Sequence, residues 1–178
     1  MTIDERLKTE QILLGQRITQ LMEAQQLTQK KLAEKSGLEV RTIRRIEKGE
    51  ANSEFRTLVK LSDGLKVPIA AIFDYAGEIN LTSLIENLNS DERLLQETKK
   101  VGQRILALCK HRGIDQEELG VLSNIANSDI SLYINGQENL VLLTLLKISI
   151  ALEVAITELF NYDGALPDNK TFKGKIQF

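Results

Sequence analysis

Shifted by 87 positions, the sequence falls over itself without a gap, residues 4–75 lying over residues 91–162. Asp4, Glu5, Arg6, Leu7 and Glu10 meet Asp91, Glu92, Arg93, Leu94 and Glu97, and Gly15-Gln16-Arg17-Ile18 meets Gly102-Gln103-Arg104-Ile105. The register continues through Gln29/Gln116, Leu32/Leu119, Ile43/Ile130, Gly49/Gly136, Asn52/Asn139, Leu58/Leu145, Phe73/Phe160 and Tyr75/Tyr162. Self-similarity at a fixed offset is the mark of a repeated structural unit. The sequence therefore predicts two homologous domains, 4–75 and 91–162, joined by a linker over 76–90 and followed by a C-terminal arm over 163–178.

Within each copy apolar residues recur at three and four, and alternating β-branched runs are missing, so the expected class is all-α. In the first copy the pattern predicts a helix over about 4–25, with acids in the opening turn where the macrodipole favours them. Thr28 is a fair N-cap for a short second helix that Gly37 ends. A third helix over about 40–48 stops at Gly49, a fourth covers about 53–65, and Pro68 opens a fifth that ends near Phe73. The fold expected is two tandem five-helix domains. In the linker, Leu81, Leu84, Ile85 and Leu88 suggest a helical turn or two.

The third helix carries the chemistry. Val40, Ile43 and Ile46 point inward, whereas Arg41, Arg44, Arg45 and Lys48 fall at i, i+3, i+4 and i+7 on the opposite face. Like charges at that spacing repel in a free helix, and a polyanion along the stripe is a natural compensating partner. Arginine adds a planar fork that matches the O6 and N7 edge of guanine, while lysine is mainly a phosphate contact. A solvated charged face is the plain alternative for any such run. The helix lengths and the glycine between them match a helix-turn-helix, whose later helix enters the major groove.

The run from Thr28 to Gly49, TQKKLAEKSGLEVRTIRRIEKG, followed by Asn52, Thr57-Leu58, Leu65-Lys-Val-Pro-Ile69 and Phe73, resembles the lambda-repressor-like (Cro/CI, XRE) helix-turn-helix family. The resemblance covers the first copy and, more weakly, the second. It implies a five-helix domain that binds operator double-stranded DNA sequence-specifically and regulates transcription, usually as a dimer; a repressor is the role expected, although the sequence does not fix the sign of regulation. By position, Gln29 and the region of Gly49 and Asn52 would hold phosphates, Val40, Arg41, Arg44 and Arg45 would read bases, and Thr42 would reach the backbone. There are departures. Met22 stands where an arginine often pairs with the glutamate late in helix three, so Glu47 is expected to turn to Arg44 or Lys48. Val40 leaves only apolar contact at a common polar reading position.

The second copy reads differently. Lys and Arg outnumber Asp and Glu by 13 to 11 over residues 4–75, but stand 7 to 10 over residues 91–162, and none lies between Gly113 and Leu146. The cationic stripe has become Ser128, Ser131, Leu132 and Asn135. Arg45 and Glu47 have become Leu132 and Ile134, and Ser53, Glu54, Arg56 and Asp63 have become Leu140, Val141, Leu143 and Ile150. A helix apolar nearly all round needs cover on both sides, and such patches mark interfaces. Leu132, Ile134, Leu140, Val141, Leu143 and Ile150 are therefore expected at a homodimer interface, with packing on the first copy of the same chain as the alternative.

No phosphate-binding glycine loop, metal-ligand cluster or catalytic spacing stands out, so no enzyme, metal or cofactor is expected. Cys109 occupies the place of Met22 and is expected in the core. Single Cys and His residues, an acidic start and no long apolar run point to a cytoplasmic protein without a membrane span. The competing function is an antitoxin-like or adaptor protein whose second domain holds a protein partner, with DNA binding for autoregulation.

Overall fold

A computed structural model describes residues 1–77 and 90–167. The linker turn expected at Leu81, Leu84, Ile85 and Leu88, and the arm beyond Pro167, lie outside the described residues.

The first set of helices is α1 (Ile3–Ala24), α2 (Gln29–Ser36), α3 (Val40–Glu47), α4 (Phe55–Leu65) and α5 (Ile69–Phe73). The second is α6 (Ser90–Arg112), α7 (Gln116–Ser123), α8 (Asn127–Ile134), α9 (Leu142–Ala151) and a 3-10 helix (Ile156–Phe160). All the regular elements among the described residues are helical, as expected. The bounds of α2 and α3 recur 87 residues on in α7 and α8. The fifth helix of the second set is 3-10 in place of α.

Local chemistry explains the boundaries. Thr2 and Glu5 form a reciprocal capping box at the start of α1. Thr28 accepts the Lys31 amide at 3.2 Å and Asp115 accepts the Glu118 amide at 2.8 Å, so α2 and α7 are capped alike. Both then end on a left-handed residue, Gly37 (φ 65°) in one and Asn124 (φ 50°) in the other, the two residue types that tolerate that region most easily.

Polar brackets also repeat. Arg17 donates from Nε to Ala71 O and from Nη1 to Gly77 O, both at 3.0 Å, and Arg104 does the same to Glu158 O and Gly164 O at 3.0 Å. Tyr75 donates to Glu10 at 2.8 Å and Tyr162 to Glu97 at 2.7 Å. Burial, reinforced by the neighbouring carboxylate, pushes both phenols well above their ordinary range, so they stay protonated as donors.

The two sets share one hydrophobic core. Their seam has an approximate two-fold pattern, in which exchanging each residue with the one 87 positions away maps contacts onto contacts. Phe55 N–H donates to Leu140 O at 2.7 Å while Leu142 N–H donates to Ser53 O at 2.9 Å, and Glu54 bridges antiparallel to its own counterpart Val141. Asn52 accepts the Leu143 amide at 2.9 Å, and Asn139 accepts the Arg56 amide at 3.4 Å. Phe73 stacks on its counterpart Phe160, ring centroids 4.6 Å apart and 10° from parallel, with Phe55 beyond at 6.1 Å.

Phe160 is 3% exposed and serves both sets at once. Phe160→Ala is expected to cost about 3–5 kcal/mol, read by urea unfolding. With the core shared, far-UV and near-UV signals should fall in one coincident transition.

Candidate nucleic-acid interface

α2 and α3 are joined by the Gly37 turn, in which the Leu38 amide donates back to Ala33 O at 3.2 Å. Leu32, Ile43 and Ile46 are buried to 2% or less, which fixes both helices by their inner faces and leaves the outer face of α3 to solvent. Arg41, Arg44, Arg45 and Lys48 are exposed, and Val40 and Thr42 are half-buried at the margin. The structure thus brings these six expected residues onto one edge of the first set.

The cations are not equivalent. Arg45 Nη2 curls onto Glu50 O at 3.2 Å, whereas among the described residues Arg41, Arg44 and Lys48 make no side-chain hydrogen bond or ion pair. Three cations without an ion pair on one exposed helix face favour a positive local field there.

Two expected phosphate contacts are placed otherwise. Gln29 donates its amide nitrogen to Glu47 Oε2 at 2.5 Å, and Thr19 donates to the other oxygen at 3.4 Å. Glu47 therefore turns inward to Gln29 and Thr19, not to Arg44 or Lys48, because a half-buried carboxylate gains more from donors beneath it than from solvated cations. The clasp ties the start of α2 to the end of α3. Asn52 sits at the seam, where its Oδ1 caps the Leu143 amide. Sequence reasoning missed this role, although the identity Asn52/Asn139 signalled it: each asparagine serves the opposite set.

The equivalent face of α8 carries no cation. Ser128 and Asn135 are exposed and Ser131 is half-buried, with Asn135 donating to Ser131 at 3.4 Å. Of the six residues expected at a chain–chain interface, Leu140 is wholly buried and Ile150 is 7% exposed, both within this one chain. The reason is the seam, which takes Leu140 O into the pairing with Phe55. Leu132, Ile134, Val141 and Leu143 are half-buried.

Among the described residues no group of three or more His, Cys, Asp or Glu is placed to hold a metal ion. Cys109 is 2% exposed, and burial pushes its thiol up to about 11, far from the range of a reactive thiolate. It should react with Ellman's reagent at pH 8 only after denaturant is added; rapid labelling of the native protein would contradict this placement. A second expectation concerns the turn. A Cβ on Gly37 would meet nothing within 4 Å, so Gly37→Ala should cost only the left-handed backbone strain, about 1 kcal/mol by thermal unfolding, and Gly37→Asn less.

Among the described residues no helix is long and apolar enough to cross a membrane. Residues 18–72 match the family model Helix-turn-helix, of the XRE, lambda-repressor-like type. The match supports a DNA-binding transcription regulator of XRE type. It runs from the middle of α1 to α5 and contains the whole of α2, the turn and α3. No match is found among curated proteins or among solved structures.

Proposed function

We propose that the chain is a sequence-specific DNA-binding transcription regulator that lays α3 in the major groove and acts as a repressor by occupying its operator. The observation that carries this reading is the unpaired set Arg41, Arg44 and Lys48 on the exposed face of a helix held rigidly from below. An arginine near the middle of such a helix reaches base edges, and Lys48 at its end reaches phosphate. Gln29 and Asn52, engaged inside the protein, act by holding α3 and the loop after it, so their contribution to DNA binding is indirect.

On this reading the chain is two homologous domains. The first, 4–75, reads DNA; the second, 91–162, supports the reader across the seam and has no phosphate-binding face of its own. The residues beyond it begin as an arm that ties back, His111 Nε2 lying 3.0 Å from Pro167 O. Pairing of two chains through the second domain, on the half-buried Leu132, Ile134, Val141 and Leu143, would set two copies of α3 on a two-fold operator. An adaptor reading is favoured by one observation, that Val121 and Leu122 on α7 stand 76% and 39% exposed. A protein partner would cover them.

Selection of bound sequences from random DNA, followed by anisotropy titration on the selected duplex, tests the docking. Arg44→Ala or Arg41→Ala should lose about 1–3 kcal/mol and relax preference at one position. Lys48→Ala should weaken all sequences alike and lower the salt slope by about one. Unchanged affinity in all three variants would refute the reading. Light scattering at micromolar concentration decides the pairing: a mass near the 20.0 kDa of one chain rules it out and leaves α3 as the reader.

A further inference from the structure

The seam is two-fold in its backbone pairing but not in its charges. On one side Arg93, with its side chain 11% exposed, lies between Asp63 of the first set, Nε to Oδ1 at 3.3 Å, and Glu97 of its own helix, Nη1 to Oε1 at 3.0 Å. The residues that exchange with Arg93 and Glu97 are Arg6 and Glu10, unchanged in type, but the residue that exchanges with Asp63 is Ile150. Arg6 therefore lacks the carboxylate from across the seam. Its Nε is shielded from solvent with no hydrogen-bond partner, and among the described residues its side chain makes no ion pair. A buried donor without an acceptor is unfavourable, and a charged one more so.

Beside Arg6 is a half-open cleft of about 200 Å³, lined by Arg6, Glu10 and Tyr75 from the first set and by Leu146, Ile150 and Ile156 from the second, among others. That is a little more than a cavity that takes a benzene ring and less than a drug-sized pocket. It admits a ring or a short branched chain with one headgroup. Glu10 does not fill the role of Asp63. Tyr75 holds its Oε2 at 2.8 Å, and burial keeps its carboxyl above the usual carboxylate range against the opposing effects of that hydrogen bond and of Arg6. The opposite side of the seam shows that one guanidinium here accommodates two carboxylates, Asp63 and Glu97 sharing Arg93.

We propose that this cleft binds a small organic monocarboxylate with an apolar body, its carboxylate meeting Arg6 as Asp63 meets Arg93 and its body resting on Leu146, Ile150 and Ile156. The site is made from both sets of helices, so an occupant bridges the seam. The proposal stands apart from DNA reading and survives or fails without it.

Calorimetric titration of the full chain with benzoate, phenylacetate and isovalerate, against benzamide and isovaleramide, tests it. At least one acid should bind, with its amide about tenfold weaker or worse, as loss of a charge-assisted pair requires. Arg6→Gln should weaken that acid about tenfold, and Ile150→Asp, which supplies the carboxylate from the protein, should abolish its binding. No heat from any acid at millimolar concentration, equal binding of acid and amide, or indifference to Arg6→Gln each overturns the proposal. A melting cycle guards against a variant that is merely unstable: Ile150→Asp should lower Tm less with Arg6 present than in the Arg6→Gln background. Equal losses would show that Arg6 does not face that position, which also overturns it.

Discussion

The stack of Phe73 on Phe160 and the two exchanged backbone hydrogen bonds beside it govern the rest of this structure. They place α4 of one set against α6 of the other, and α1 against α9, around a single core. An aromatic pair adds only about 0.5–1.5 kcal/mol beyond its burial, so the stack is better seen as the point where large apolar areas meet than as their sum. Remove that meeting and Phe55, Phe73, Leu140 and Leu142, all 1% exposed or less, face water together. Neither set can keep its inner surface dry alone.

Much of this was legible in the sequence because helix periodicity and capping chemistry are local. Thr28, Gly37 and Gly49 placed the ends of α2 and α3 within a residue. The cationic face of α3 was equally legible, since four residues at i, i+3, i+4 and i+7 cannot avoid sharing a side. What was not legible is where a helix surface turns after its own set is complete. Leu140 and Ile150 read as surplus apolar residues and suggested a second chain, but the first set of this chain lies against them. Composition tells that a face needs cover; it does not tell whether a second chain or another set of helices in the same chain supplies it.

The identities between the two halves carried more information than their apolar members alone. Arg17/Arg104, Glu10/Glu97 with Tyr75/Tyr162, and Asn52/Asn139 are polar, and each turns out to satisfy a buried or interfacial group. Gly15/Gly102 has a different cause: a Cβ at either would stand 2.5 Å or 2.1 Å from a carbonyl oxygen of the helix crossing it. Polar positions exposed to solvent, such as the face of α3, have no such tie and differ freely in α8. Repetition alone does not imply such a bond: Gln29 gives its amide to Glu47, whereas its counterpart Gln116 is exposed in a set where Ile134 stands in the place of Glu47.

That distinction bears on how two sets of helices in one chain can carry different surfaces. The inner face of the second set is constrained by the seam, where a lost hydrogen bond or cavity costs about 1–5 kcal/mol, a large part of the stability of a typical domain. Its outer face on α7 and α8 has no comparable constraint, because surface substitutions cost within about 0.5 kcal/mol. Cations can vanish from α8 while the set still folds and still buttresses α4 and α5. The division is not complete: Ser53 and Leu140 are both buried yet differ in polarity, and Ile150 stands where the exchange would place the acid Asp63, which leaves Arg6 without a carboxylate from across the seam. A half-buried arginine whose Nε has no partner, where the paired alternative is visible in the same molecule at Arg93, is what sets that side of the seam apart as chemistry left open.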